Sequence, residues 1–182
     1  MRKPWLLGLI LIATSIASAQ EHPLPPKPEK EHQWLQQFVG EWTTNAEVIM
    51  EPGKPPTKCE GTESVRTVGG MWTISEIKST PAGQPMVGIM TLGFDPQKKR
   101  FIGTWIDNSG SHLWKYEGSL DATGKILTLE SEGPSMTAPS KMAKYRDVTE
   151  IKNKDHKILT SSIQDNDGQW THFMTMHSRR KN

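Results

Sequence analysis

From Glu41 onward, apolar and polar side chains alternate with a period of two, and short clusters of turn residues interrupt them at regular intervals. This pattern predicts ten strands, over 41–50, 58–68, 71–79, 84–94, 99–108, 112–120, 124–131, 141–151, 156–163 and 169–179. The separators carry turn chemistry, among them Pro52-Gly53, Gly69-Gly70, Pro81-Ala82-Gly83, Asp95-Pro96, Asn108-Ser109-Gly110 and Asp165-Asn166-Asp167-Gly168. Just ahead of the first strand the period becomes helical. Glu29 to Val39 predicts one helix, with Glu29 and Glu31 near its positive end, Trp34, Leu35 and Phe38 on one face, and Gly40 as its stop. Short connections make successive strands antiparallel neighbours. The predicted fold class is therefore all-β, an antiparallel up-and-down barrel of about ten strands with one short N-terminal helix.

The first residues follow neither period. Met1-Arg2-Lys3 is a positive start, Trp5 to Ala17 is an apolar run of 13 residues, and Ala17-Ser18-Ala19 is a small-x-small cleavage site. Such a run is too short to span a bilayer. Residues 1–19 are expected to be an export signal, 20–28 a Pro-rich spacer, and 29–182 the barrel domain, secreted or periplasmic. The 182-residue chain holds 22 Lys plus Arg against 20 Asp plus Glu, and losing Arg2 and Lys3 with the signal leaves 20 against 20. That balance argues against a polyanion partner, since nucleic-acid binders usually carry a basic excess on one face, so no nucleic-acid partner is expected. No membrane span is expected after cleavage of the signal. Cys59 is the single cysteine, which leaves no internal disulfide and fits a small buried strand residue.

Alternation also sorts candidate chemistry. Trp170, His172, Met174 and Met176 share one face of the last strand; Phe101, Gly103, Trp105 and Asp107 share a face of the fifth; His112, Trp114, Tyr116 and Gly118 share a face of the sixth. Met86, Gly88, Met90, Leu92 and Phe94 form a further row. Rows mixing aromatic or thioether bulk with a polar group suit a partly hollow interior that holds a small apolar molecule. The expected lining is Trp72, Met90, Trp105, Tyr116, His172 and Met174, with Glu76 and Arg146 as polar anchors.

Leu35 to Trp42, with its Gly40-Glu41-Trp42, resembles the Gly-x-Trp signature of the calycin superfamily, the lipocalins and fatty-acid-binding proteins. The resemblance implies that Gly40 and Trp42 are structural residues at a closed end, with Arg179 or Arg180 covering Trp42 through a cation–π contact. Beyond that signature, Glu31 to Leu35, Gly69 to Trp72, Met90 to Asp95, Gly103 to Asp107, Tyr116 to Asp121, Lys144 to Val148 and Phe173 to Met176 resemble the exported bacterial domain-of-unknown-function family 1579. That family implies a fold and no activity.

Catalytic signatures are lacking: neither Gly-x-Ser-x-Gly nor His-Glu-x-x-His occurs. Glu76, Glu117, Asp107 and Asp147 are the carboxylates that could pair, but no spacing joins two of them to a nucleophile, and such residues are expected on the outer, solvated faces. His172, Met174 and Met176, with His112, offer soft ligands, so a haem- or copper-binding barrel is an alternative. A packed structural or interaction module without ligand is another.

Overall fold

Because every second side chain of a strand points the same way, ten consecutively paired strands share one inner surface once the first also meets the last. The structure, a computed structural model, describes residues 27–181 apart from 50–52, 137, 139 and 166. The expected export signal and most of the expected spacer lie outside the described residues, as do Pro52 and Asn166 of the expected turns. The strands are β1 (Gly40–Val48), β2 (Thr57–Val68), β3 (Trp72–Ser79), β4 (Met86–Asp95), β5 (Arg100–Asp107), β6 (Trp114–Leu120), β7 (Ile126–Pro134), β8 (Met142–Asn153), β9 (His156–Gln164) and β10 (Trp170–Arg180). Each pairs antiparallel with the next, and β1 pairs with β10 from Trp42 opposite Arg180 to Val48 opposite Met174. The barrel is closed. All ten expected strands form, with ends moved by at most three residues.

The expected helix over 29–39 is shorter than the pattern implied. α1 (Lys30–Leu35) tightens into a 3-10 turn over Gln36–Phe38, where the Val39 N–H donates to the Gln36 carbonyl at 3.1 Å. Gly40 then redirects the chain at φ +130°, a conformation that side-chain-bearing residues avoid. His32 is buried under α1: its Nδ1 accepts the Glu29 N–H at 2.9 Å, so its Nε2 is the donor facing the Phe94 carbonyl at 3.1 Å. This fastens the helix to β4.

With α1 seated across one end, Leu35, Phe38, Trp42, Val65, Leu92, Phe94, Phe101, Leu127 and Leu129 pack into a single apolar cluster. Phe94 and Phe101 meet edge-on at 5.2 Å between ring centres, a favoured aromatic geometry. Arg180, at the end of β10, locks this plug. Its Nη1 donates to the Val39 carbonyl at 2.7 Å, its Nη2 to Gln37 at 2.8 Å and its Nε to Lys154 at 3.1 Å, and its guanidinium lies 4.1 Å from the Trp42 ring centre. Of the two arginines expected over Trp42, Arg180 makes the contact and Arg179 is exposed. A side chain at Gly40 would strike Arg180, so the glycine is needed for space as well as for its backbone angle.

Trp42 is 2% exposed, and its indole N–H donates to the Phe38 carbonyl at 2.8 Å, so truncation opens a cavity and orphans an acceptor. Trp42→Ala is expected to cost about 3–5 kcal/mol, read as a lowered midpoint in denaturant unfolding; an unchanged midpoint would contradict this placement.

Candidate ligand cavity

The plug fills one end of the barrel, and at the other the inward side chains leave a cavity of about 460 Å³. Its wall is mainly apolar, with Val48, Ile77, Met86, Met90, Trp105, Trp114, Leu129, Met174 and Met176 among its members. Space survives beside two tryptophans because glycines face them. The Trp105 ring lies where a side chain at Gly88 would stand, and the Trp114 ring lies where one at Gly133 would stand. Both indoles therefore fold against the wall instead of across the lumen. A second recess, of about 570 Å³, lies at the plugged end among exposed Glu29, Lys30 and Lys99 and half-buried Glu31, whose charges of both signs make it the poorer site for an apolar molecule.

Of the residues expected to line the interior, Met90, Trp105, Tyr116 and Met174 face this cavity. Trp72, Glu76, Arg146 and His172 do not. In β3 the inward row is Thr73, Ser75, Ile77 and Ser79, so Trp72 and Glu76 fall on the outer face. There Trp72, 39% exposed, packs over Gly93 of β4, and Glu76 pairs with Lys78 at 2.5 Å. Arg146 is likewise outside, 2.7 Å from Glu130 and 3.9 Å from the centre of the Trp170 ring. His172 is displaced by a bulge. The β9–β10 register shifts between His172 and Met174, so Met174 and Met176 face inward while His172 is exposed with its Nε2 3.1 Å from the Thr175 hydroxyl. The soft-ligand row of His172, Met174 and Met176 is thereby broken. His112 precedes β6, edge-on to Trp114 and 3.1 Å from the Glu132 carbonyl. Among the described residues no three His, Cys, Asp or Glu side chains cluster as a metal site.

Two polar groups inside the barrel escaped the sequence pattern. Close to the plug, Lys157 Nζ sits 2.9 Å and 2.8 Å from the two Glu63 carboxylate oxygens, and Ser75 donates to Glu63 at 2.7 Å. Glu63 and Lys157 are both buried, and the ammonium lies 4.8 Å from the Trp42 ring centre and 5.0 Å from that of Phe38. Glu63 stands in the inward row Cys59, Gly61, Glu63, Val65, and a charge in such a row is the signal that a buried counter-charge is needed.

Farther up the wall, Ser161 donates to the Asp147 carboxyl at 2.5 Å, and the Tyr116 hydroxyl lies beside the same carboxyl. Burial pushes Asp147 above the usual carboxylate range, against the opposing pull of Ser161 and Tyr116. Burial, reinforced by the nearby Asp147 charge, also raises the Tyr116 phenol well above its ordinary value. Asp107 behaves differently at the mouth. Burial would raise it, but Ser109 and the Trp105 indole N–H, 2.7 Å away, hold it below its ordinary value. Asp107 and Asp147 thus depart from the expected outer-face placement, whereas Glu76 follows it. Cys59 is buried as expected, and burial raises its thiol.

Removing one partner of the buried pair leaves the other charge stranded. Lys157→Met is expected to cost about 3–5 kcal/mol in denaturant unfolding, and Lys157→Met combined with Glu63→Gln distinctly less than the sum of the two single losses. Additive losses would show that the two side chains are not coupled. Asp147 generates a pH signature. Between its unfolded value and its raised folded value the native chain holds a proton that the unfolded chain has released, so this contribution to stability falls as pH rises through that window. The stability difference between the native protein and Asp147→Asn should change with pH in that sense and level off below the ordinary Asp range; a difference independent of pH would contradict the raised carboxyl.

The same fold occurs in solved structures of low sequence identity. The chain resembles the crystal structure of Rv2717c from M. tuberculosis, with a TM-score of 0.63 and 15% identity over 86% of this chain and 100% of that one. It also resembles the S-type phycobiliprotein lyase CPES from Guillardia theta, with a TM-score of 0.58 and 10% identity over 85% of this chain and 99% of that one. At these identities the likeness is one of fold. No curated protein matches the sequence. The helix and all ten strands fall within residues 27–180, which match the family described as Protein of unknown function (DUF1579), and the chain belongs to that family.

Proposed function

We propose that the open half of the barrel binds a small, largely apolar or amphipathic molecule without transforming it. The observation that carries this reading is the cavity itself: about 460 Å³, within the roughly 300–1,000 Å³ range of small-molecule sites, walled by thioethers and indoles with a few convergent polar groups. Met86, Met90, Met174 and Met176 give that wall an adaptable apolar surface. A packed, ligand-free module would instead fill its lumen, whereas Trp105 and Trp114 lie back against Gly88 and Gly133. The likeness to the lyase adds no ligand, because shared architecture does not transfer chemistry. The seal of Trp42 by Arg180 supports a calycin-like barrel. In the same reading residues 1–19 are a cleaved leader, 20–28 a spacer, and the barrel works outside the cytoplasm.

A neutral amphiphile such as decanol should shift or quench tryptophan emission saturably. At about one hundred times its dissociation constant it should stabilise the protein by about 2.7 kcal/mol. Trp105→Ala combined with Met174→Ala should weaken binding by about tenfold or more, because each removes apolar contact worth a kcal/mol or more. Exposed Lys98→Ala should change neither readout. If apolar ligands, haem and copper all leave emission and stability unchanged, the cavity is not a binding site.

A further inference from the structure

The cavity wall carries three carboxyl groups, Glu63, Asp107 and Asp147, and one cation, Lys157. Lys157 is committed to Glu63, with its ammonium within 2.9 Å of both carboxylate oxygens. It stands four residues from Ser161 along β9, about 13 Å at the usual rise of a strand, so it does not serve the Asp147 that Ser161 touches. Asp107 is met at the mouth by Trp105 and Ser109. Asp147 forms no ion pair among the described residues; the Ser161 hydroxyl donates to it, and the Tyr116 hydroxyl lies beside it. Hydroxyls satisfy lone pairs but do not neutralise a charge.

An anionic head entering this lumen meets like charge, and the one cation facing it is already paired. A cationic head supplies what Asp147 lacks, through a charge-assisted hydrogen bond in a poorly hydrated site. We propose that the cavity selects amphiphiles with a basic nitrogen, the amine bonding the Asp147 carboxyl beside Tyr116 and Ser161 and the apolar body running toward the Met and Trp wall at the mouth. This rests on the cavity being a binding site, and it names the ligand class: aliphatic amines in preference to alcohols, and alcohols in preference to fatty acids. Met174 is placed to cover the part of the ligand next to the head, since it pairs with Ser161, which pairs in turn with Asp147.

Decylamine, decanol and decanoate share one tail length and differ in the head, and an aliphatic amine is protonated at neutral pH. Titrated into the intact protein and followed by tryptophan emission, decylamine should bind about tenfold or more tighter than decanol, a gap of about 1.4 kcal/mol, with decanoate weakest. In Asp147→Asn the ratio of amine to alcohol affinity should fall to about one. Should that variant not fold, the three-ligand order on the native protein still decides. Equal binding of amine and alcohol, or tightest binding of decanoate, overturns the amine preference while the cavity reading stands. Failure of all three to bind overturns both.

Discussion

Arg180 over Trp42 ties the closing seam between β1 and β10 to the plug at one end of the barrel. The arginine ends the last strand opposite the tryptophan near the start of the first, and its fork of donors takes the Gln37 and Val39 carbonyls, where helix turns into strand, and the Lys154 carbonyl in the turn between β8 and β9. The same guanidinium covers the indole face, while the indole N–H is held by Phe38. One side chain thus joins the last strand to the helix, satisfies the helix terminus and seals the core. A lysine could neither fork across those carbonyls nor lie flat on the ring.

That seal determines which end is solid and which is hollow. About eight strands make a barrel just wide enough for its own side chains to fill, and ten leave room to spare. At one end α1 and the 3-10 turn after it take up the excess, contributing Leu35 and Phe38 to a cluster completed by Phe94 and Phe101. No second α-helix covers the other end among the described residues, where a single 3-10 turn over Pro81–Gly83 reaches the cavity wall. There the largest side chains lie flat over glycines, so the wall gains aromatic surface while the lumen stays open. The helix and the glycine positions are two halves of one arrangement.

The strands, their order and the sealing motif were legible in the sequence because period-two alternation, turn residues and the Gly40-Glu41-Trp42 signature are local signals. The inner wall was legible where bulk alternates without interruption, as in the rows of Met90 and Trp105. It was misread in two places for distinct reasons. In β10 an extra residue at Phe173 reverses the parity, which sends His172 and Trp170 outside while Met174 stays in; parity counted along a strand does not see a bulge. In β3 the bulky row of Trp72 and Ile74 lies outside and the row of Thr73 and Ser75 inside. Ser75 serves Glu63 and Trp72 fills the space over Gly93, and both are relations between strands. Lys157 and Asp147 were obscured for the same reason, since each is tolerated in the wall through partners 94 and 14 residues away in the chain.

The polar groups of the interior differ with depth, and that gradient constrains what the barrel accommodates. Nearest the plug, Glu63 and Lys157 cancel one another and are held by Ser75, so this level presents a closed ion pair. Higher up, Asp147 holds a carboxyl that burial pushes toward its neutral form and that two hydroxyls only partly relieve. At the rim Asp107 is held ionised by donors of its own loop and of Trp105. Under the proposed function a guest would meet a fixed anion at the entrance, an apolar passage, and then an acid whose charge depends on what comes to rest beside it. Such an acid is costly for an empty barrel and would be less so beside a guest that brings a compensating group, so under the proposed function the stability of the hollow half would follow its occupancy.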